Sequence, residues 1–224
     1  MRNSLKTILA VVSAISLGSL SARADIFNEI GDAGPNLPSA NLTTQGGIPA
    51  GNSLTAINGT LSSATDVDVF AIRITSTSLF SATTVGGTSM DTMLSLFGPG
   101  GQAIYANDDS AGTLQSTLPG GSSFLLGPGL YYIAISLSGN EAVNSANQLL
   151  FAQSADPTAV RGPAAGVNPA SLTGFNGGTS FPESGAYTIT LTGVTAIPEP
   201  SVWALSLLGV GAIGFATYRR RQLA

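Results

Sequence analysis

Five aspartates, Asp66, Asp68, Asp91, Asp108 and Asp109, stand where hydrophobic runs begin or end, with Asn107 beside the last two. Carboxylates with almost no basic neighbours suit a hard divalent cation. Calcium takes six to eight oxygens and accepts carboxylates together with turn carbonyls. Asp66 and Asp68 are two residues apart, so on a strand both project to one side. Asp108 and Asp109 become the leading ligands if strand order brings them beside Asp66 or Asp91. The competing reading is ordinary turn chemistry: Asn-Asp-Asp closes loops by itself, and no Asp-x-Asp-x-Asp-Gly loop is present. Calcium is the one cofactor these residues suggest.

Composition excludes most other chemistry. The chain has no His and no Cys, and its only Lys is Lys6. Without those side chains there is no ordinary zinc or copper site and no disulfide scaffold. Ser-His-Asp, Cys-His and Ser-Lys nucleophile systems lack their base. Only a carboxylate pair could catalyse, as in a glycosidase or an aspartic dyad. "DDSAG" at 108–112 departs from an Asp-Thr/Ser-Gly loop and has no second copy, so the chain reads as a non-enzyme. Between Asp25 and Ile197 two basic residues face eleven acids, a net charge of −9. Such a domain has no electrostatic footprint for nucleic acid.

These residues need strands to position them, and alternation supplies the strands. Phe70, Ile72 and Ile74 share one face, as do Leu94 and Leu96, Tyr131 through Leu137, and Tyr187, Ile189 and Leu191. "GPGG" at 98–101 reads as a turn before a short strand at 103–105, and "GPG" at 127–129 leads into the Tyr131 strand. The expected fold is all-β: an antiparallel, jelly-roll-like β-sandwich over residues 53–195. Residues 25–52, rich in Pro, Gly and Asn, read as an extended leader on the sheet edge. Residues 139–184 read as an irregular insertion, with a short strand at 147–154 to bury Leu149, Leu150 and Phe151.

Both ends carry address signals. Arg2 and Lys6 precede an apolar stretch from Ile8 to Leu20 and then Ala22-Arg23-Ala24, the pattern of a helical signal peptide cut after Ala24 by signal peptidase. At the other end, Pro198-Glu199-Pro200 is followed by an uncharged run from Ser201 to Tyr218 and by Arg219, Arg220 and Arg221. Eighteen residues make roughly 27 Å of helix, near the hydrocarbon thickness of a bilayer. Trp203 and Tyr218 sit at interface positions, and the arginines stay cytoplasmic. The prolines keep the triplet extended and accessible. Residues 1–24 thus read as the signal, and residues 196–224 as a membrane anchor segment.

The tail resembles the PEP-CTERM sorting signal found on exported proteins of Gram-negative bacteria, often makers of exopolysaccharide. The resemblance implies recognition by an exosortase and cleavage near Pro198-Glu199-Pro200. It further implies an inner-membrane intermediate and a final place at the cell surface or in the extracellular matrix.

A second resemblance lies between Asp66 and Ser136. "DVDVFAIRI", "SMDTMLSLFGPGGQAIYANDDS" and "GPGLYYIAIS" occur in the order seen in the bacterial pre-peptidase C-terminal domain. That family implies a jelly-roll β-sandwich that accompanies secreted hydrolases and sometimes binds calcium or polymer. Here no peptidase is attached. The expected function is a non-catalytic surface or matrix protein associated with exopolysaccharide. The alternatives are a calcium- or carbohydrate-binding accessory module and, more remotely, a carboxylate hydrolase.

Overall fold

The computed structural model describes residues 24–167, 171–177 and 183–197. Ala22, Pro198, Glu199, Pro200, Arg219, Arg220 and Arg221, with the expected signal and membrane helices, lie outside the described residues. Among the described residues no helix is long and apolar enough to cross a membrane. Regular structure there is strand throughout, apart from two three-residue 3-10 turns.

Thirteen strands follow in order. The first seven are β1 (Ala24–Asn28), β2 (Asn41–Leu42), β3 (Ser53–Leu61), β4 (Val67–Ile74), β5 (Ser81–Thr83), β6 (Thr92–Phe97) and β7 (Ala103–Asn107). The rest are β8 (Thr117–Leu118), β9 (Gly129–Leu137), β10 (Glu141–Val143), β11 (Gly174–Asn176), β12 (Gly185–Thr192) and β13 (Val194–Thr195). One hydrogen-bonded path runs β7-β6-β9-β4-β13-β3-β12-β5-β8, mostly antiparallel. Its two ends approach each other, because the Thr117 amide of β8 donates to Asn107 Oδ1 of β7 at 2.8 Å. The Ser116 hydroxyl donates to the Thr92 carbonyl of β6 at 2.6 Å. The sheet is therefore a nearly closed barrel.

The expected sandwich has two separate sheets, whereas here the path is continuous through β13. Gly193 makes this possible. Its φ of 66° lies in the left-handed region, and a Cβ added there would stand only 2.8–3.0 Å from the Leu79 and Phe80 backbone. The chain therefore kinks after β12, and Val194 and Thr195 pair with β4 while Thr195 also pairs with Ser53 of β3.

The alternating residues fill the barrel. Phe70, Ile72, Ile74, Leu94, Leu96, Tyr131, Ile133, Ile135, Leu137, Tyr187, Ile189 and Leu191 all join one buried cluster. The opposite faces of β4, β6 and β9 are buried as well. Val67, Val69, Met93, Phe97 and Ala134 meet Leu150, Phe151 and Leu172 in a second cluster. The cover comes from the insertion. It pairs β10 with β11 and bridges Gln102 to Ser171 and Ala106 to Arg161. Leu150 and Phe151 are buried as anticipated, but through isolated bridges rather than a strand, since Phe151 pairs with Pro163, which has no amide to extend a ladder.

The leader is a strap. β1 pairs in parallel with β3, the chain crosses, and β2 pairs in parallel with β4. Phe27 and Ala33 are buried in the main core, and Phe27 meets Phe70 edge-on with centroids 6.0 Å apart. The strap thus contributes core as well as edge pairing.

Candidate metal centre

Two carboxylate groupings form, and each has a topological cause. Asp91 immediately precedes β6, and Asp108 and Asp109 immediately follow β7. Because β6 and β7 are antiparallel, with Leu94 opposite Asn107, these ends coincide. Each of the three acids places an oxygen within 4.8 Å of the others. Oδ1 of Asp91 and Oδ1 of Asp108 are buried without a hydrogen-bond partner. Burial, followed by the charges of Asp108, Asp109 and Glu183, pushes Asp91 up to about 6. Burial also raises Asp108, against the hydrogen bond from Ser138 and the nearby charge of Arg161. Burial raises Asp109 too. Arg161 sits next to this grouping and pairs with Glu141 at 2.8 Å, so a fixed cation already offsets part of its charge. Asn107 is a strut: its Oδ1 accepts from Thr117, and its Nδ2 donates to the Thr158 carbonyl.

The second grouping joins Glu29, Asp32 and Asp68, again within 4.8 Å. Glu29 and Asp32 belong to the crossing of the strap between β3 and β4. The Glu29 amide donates to the Asn58 carbonyl of β3, and the Val69 amide of β4 donates to the Ala33 carbonyl. Asp68 is completely buried. By the two-residue period it shares the interior side of β4 with Phe70. Its Oδ2 accepts the Tyr187 hydroxyl at 2.6 Å, and its Oδ1 is buried with no partner. Burial pushes Asp68 up to about 8, opposed by the Tyr187 hydrogen bond and reinforced by the charges of Glu29 and Asp66 and by the hydrogen bond its protonated form makes to Glu29. No basic group figures among these influences. A buried carboxylate with neither a counter-charge nor a full set of hydrogen bonds is costly. It needs a proton or a cation.

Asp66 joins neither grouping. Its carboxylate accepts from the Ser62 amide at 2.5 Å and the Val67 amide at 2.8 Å, closing the turn between β3 and β4. Of the five aspartates singled out by sequence, three converge, one is a turn residue, and Asp68 finds partners in the strap. Glu29 and Asp32 have no local signal. They lie more than thirty residues from Asp68 in a Pro/Gly-rich stretch, and only the parallel pairing of β1 with β3 brings them there.

The arrangement around Asp68 depends on Gly59. A Cβ there would collide with the Tyr187 hydroxyl and would come 2.7 Å from Glu29 Oε2. Glu29 is held by the Ala33 amide at 2.9 Å and the Thr60 amide at 3.0 Å, so it cannot retreat freely. Gly59→Ala is expected to destabilise the domain by about 1–3 kcal/mol, the usual cost of overpacking. Chemical denaturation checks it, and an unchanged midpoint would mean that Tyr187 and Glu29 are looser than they stand here.

Ala24 is the first residue of β1. Residues 196–221 match the PEP-CTERM protein-sorting motif. That span contains Pro198-Glu199-Pro200 and the three arginines. Such a motif implies export and membrane-associated sorting by an exosortase. No curated protein and no solved structure matches the chain.

Proposed function

We propose that the chain is a non-catalytic surface or matrix protein whose β-domain is clamped by a divalent cation, calcium above all, where its leader crosses from β3 to β4. The sorting part of the reading rests on the match at residues 196–221. The clamp rests on one observation: Asp68 is fully buried beside Glu29 and Asp32 with one oxygen unpartnered. Glu29, Asp32 and Asp68 would be its carboxylate ligands, which suits calcium's preference for hard oxygens. The ion would tie the strap to the barrel wall and compensate the buried charge. The Asp91, Asp108 and Asp109 grouping is the second candidate for the same ion, weakened by the Arg161 charge beside it.

A non-catalytic role is favoured by the missing His, Cys and Lys in the domain. The jelly-roll kinship with pre-peptidase C-terminal domains and the association with exopolysaccharide belong to this proposal. So does a final place outside the cell.

Two measurements test it. Intact mass of the protein from its native host is expected to show removal of residues 1–24 and a second cut near Pro198-Glu199-Pro200. A chain that retains Trp203 and the arginines after export would overturn the processing. Melting in EDTA and in millimolar calcium is expected to differ, since an ion that binds only the folded state raises its midpoint. An unchanged midpoint would remove the clamp.

A further inference from the structure

The end of the barrel formed by the β6–β7 turn and the start of β9 holds a cavity of about 410 Å³. Mouths of β-barrels with mostly apolar linings and a few polar groups are common small-ligand sites. Phe124, Tyr131, Ile104 and Pro99 supply the apolar wall. Gln102 and Ser123 supply the polar rim.

The wall is set before any ligand arrives. The Tyr105 hydroxyl donates to the Pro119 carbonyl at 2.9 Å, and the Tyr131 hydroxyl donates to the Gly127 carbonyl at 2.7 Å. These bonds pin both ends of the loop that carries Phe124. The Phe124 ring stacks on Tyr105, with centroids 6.4 Å apart and planes 26° from parallel. Gly162 approaches so closely that a Cβ there would strike the ring. Yet Phe124 remains 38 % exposed. A fixed, solvent-facing aromatic ring is the usual platform for the C–H face of a sugar. The rim suits the other half of a sugar. Gln102 Oε1 already accepts the Gly100 amide, so its Nε2 donors are left for a ligand hydroxyl.

Charge selects among polymers. Among the described residues no lining group is charged, and the domain around it carries −9. Uronate or sulfate chains would be repelled without a compensating Lys or Arg. An acyl chain would leave the rim donors unpaired, which costs binding. We infer that this barrel mouth binds one uncharged pyranose unit of a neutral glycan, with Phe124 as the stacking platform and Gln102 and Ser123 as hydroxyl partners. This deepens the polysaccharide association proposed above and rests on it.

The test uses the full chain in phospholipid nanodiscs and affinity electrophoresis through dextran, laminarin, soluble cellulose ether and alginate. At least one neutral polymer should retard the protein, and alginate should not. Phe124→Ala should weaken that retardation at least about tenfold, which is 1.4 kcal/mol, while the domain still melts cooperatively, at a midpoint lowered by the lost stack on Tyr105. Phe124→Trp should keep it. Retardation that survives Phe124→Ala would leave polysaccharide association standing and overturn this site. Retardation by alginate alone would overturn the charge argument and the site with it. Absence of retardation in every polymer would overturn both the site and the association. Anilinonaphthalene sulfonate bound at Phe124 with no glycan response would overturn the sugar in favour of an apolar occupant.

Discussion

Asp68→Asn is expected to stabilise the calcium-free protein at pH 8 and to abolish its response to calcium. The reason is the burial of one carboxylate. Its ordinary value of 3.8 is pushed up to about 8 in the folded state. Between those values the folded state holds a proton that the unfolded chain has released. The contribution of this one group to stability is therefore greatest at or below about pH 4 and falls as pH rises toward 8, by on the order of 1.4 kcal/mol per pH unit. For a domain of this size that is a total fall in melting temperature on the order of 10–20 °C. Asn carries no charge to titrate. Its amide oxygen can still accept the Tyr187 hydroxyl, and its amide nitrogen can donate toward Glu29 in place of the proton. In EDTA the variant should therefore hold its melting temperature from pH 6 to pH 8 while the native chain loses stability. Between about pH 4 and pH 6 both should lose stability as pH rises, because Asp91, pushed up to about 6, titrates there in either protein, but the native chain should slope more steeply because Asp68 adds its own linkage. Calcium should lift the native chain at pH 8, by roughly 2.7 kcal/mol at a hundredfold excess over its dissociation constant. It should leave the variant where it is. A variant that still gains from calcium would move the ion to Asp91, Asp108 and Asp109, and Asp91→Asn would then be the sensitive substitution.

Much of the barrel is legible in single strands. Where one face is large and apolar and the other small or polar, as in "YYIAISL" or "AYTITLT", a period of two identifies the interior residues correctly. The same pattern hides the second buried face. Ala134, Ser136, Ser95 and Ala106 look like solvent positions because they are small or hydroxylated, yet all are buried under the insertion. Small residues permit close cover without announcing it. The convergence of Asp91 with Asp108 and Asp109 is readable, since a tight β6–β7 connection forces an antiparallel pair and brings the outer ends together. The Asp68 environment is not. It depends on parallel pairing over long separations, which leaves no turn signal and no fixed spacing. The curl of the sheet into one path depends on a single glycine, Gly193, whose role is invisible until its neighbours are placed.

Phe27→Ala should release the strap before it unfolds the barrel. Phe27 is the one large side chain of the leader that is fully buried, at 1 % exposure, and it packs edge-on against Phe70 of β4. Removing a buried phenylalanine ring typically costs about 3–5 kcal/mol. The backbone ladder that remains is short: five residues of β1 on β3 and two of β2 on β4. Segments with so little holding them open locally at a fraction of the global free energy. The strap has no Lys or Arg, but it contains Glu29, so a glutamate-specific protease reports its opening. In the native chain Glu29 is held by the Ala33 and Thr60 amides, and cleavage after it should be slow. In Phe27→Ala, cleavage after Glu29 should accelerate by at least about tenfold more than cleavage after Glu141, which is tied to Arg161 on the far side of the sheet. Calcium should restore protection at Glu29 in the variant, because an ion held by Glu29, Asp32 and Asp68 joins the strap to β4 independently of the ring. Equal acceleration at both glutamates would mean that strap and barrel unfold as one unit. Acceleration at Glu29 that calcium does not reverse would mean that the ion, wherever it binds, does not bridge the strap to the wall.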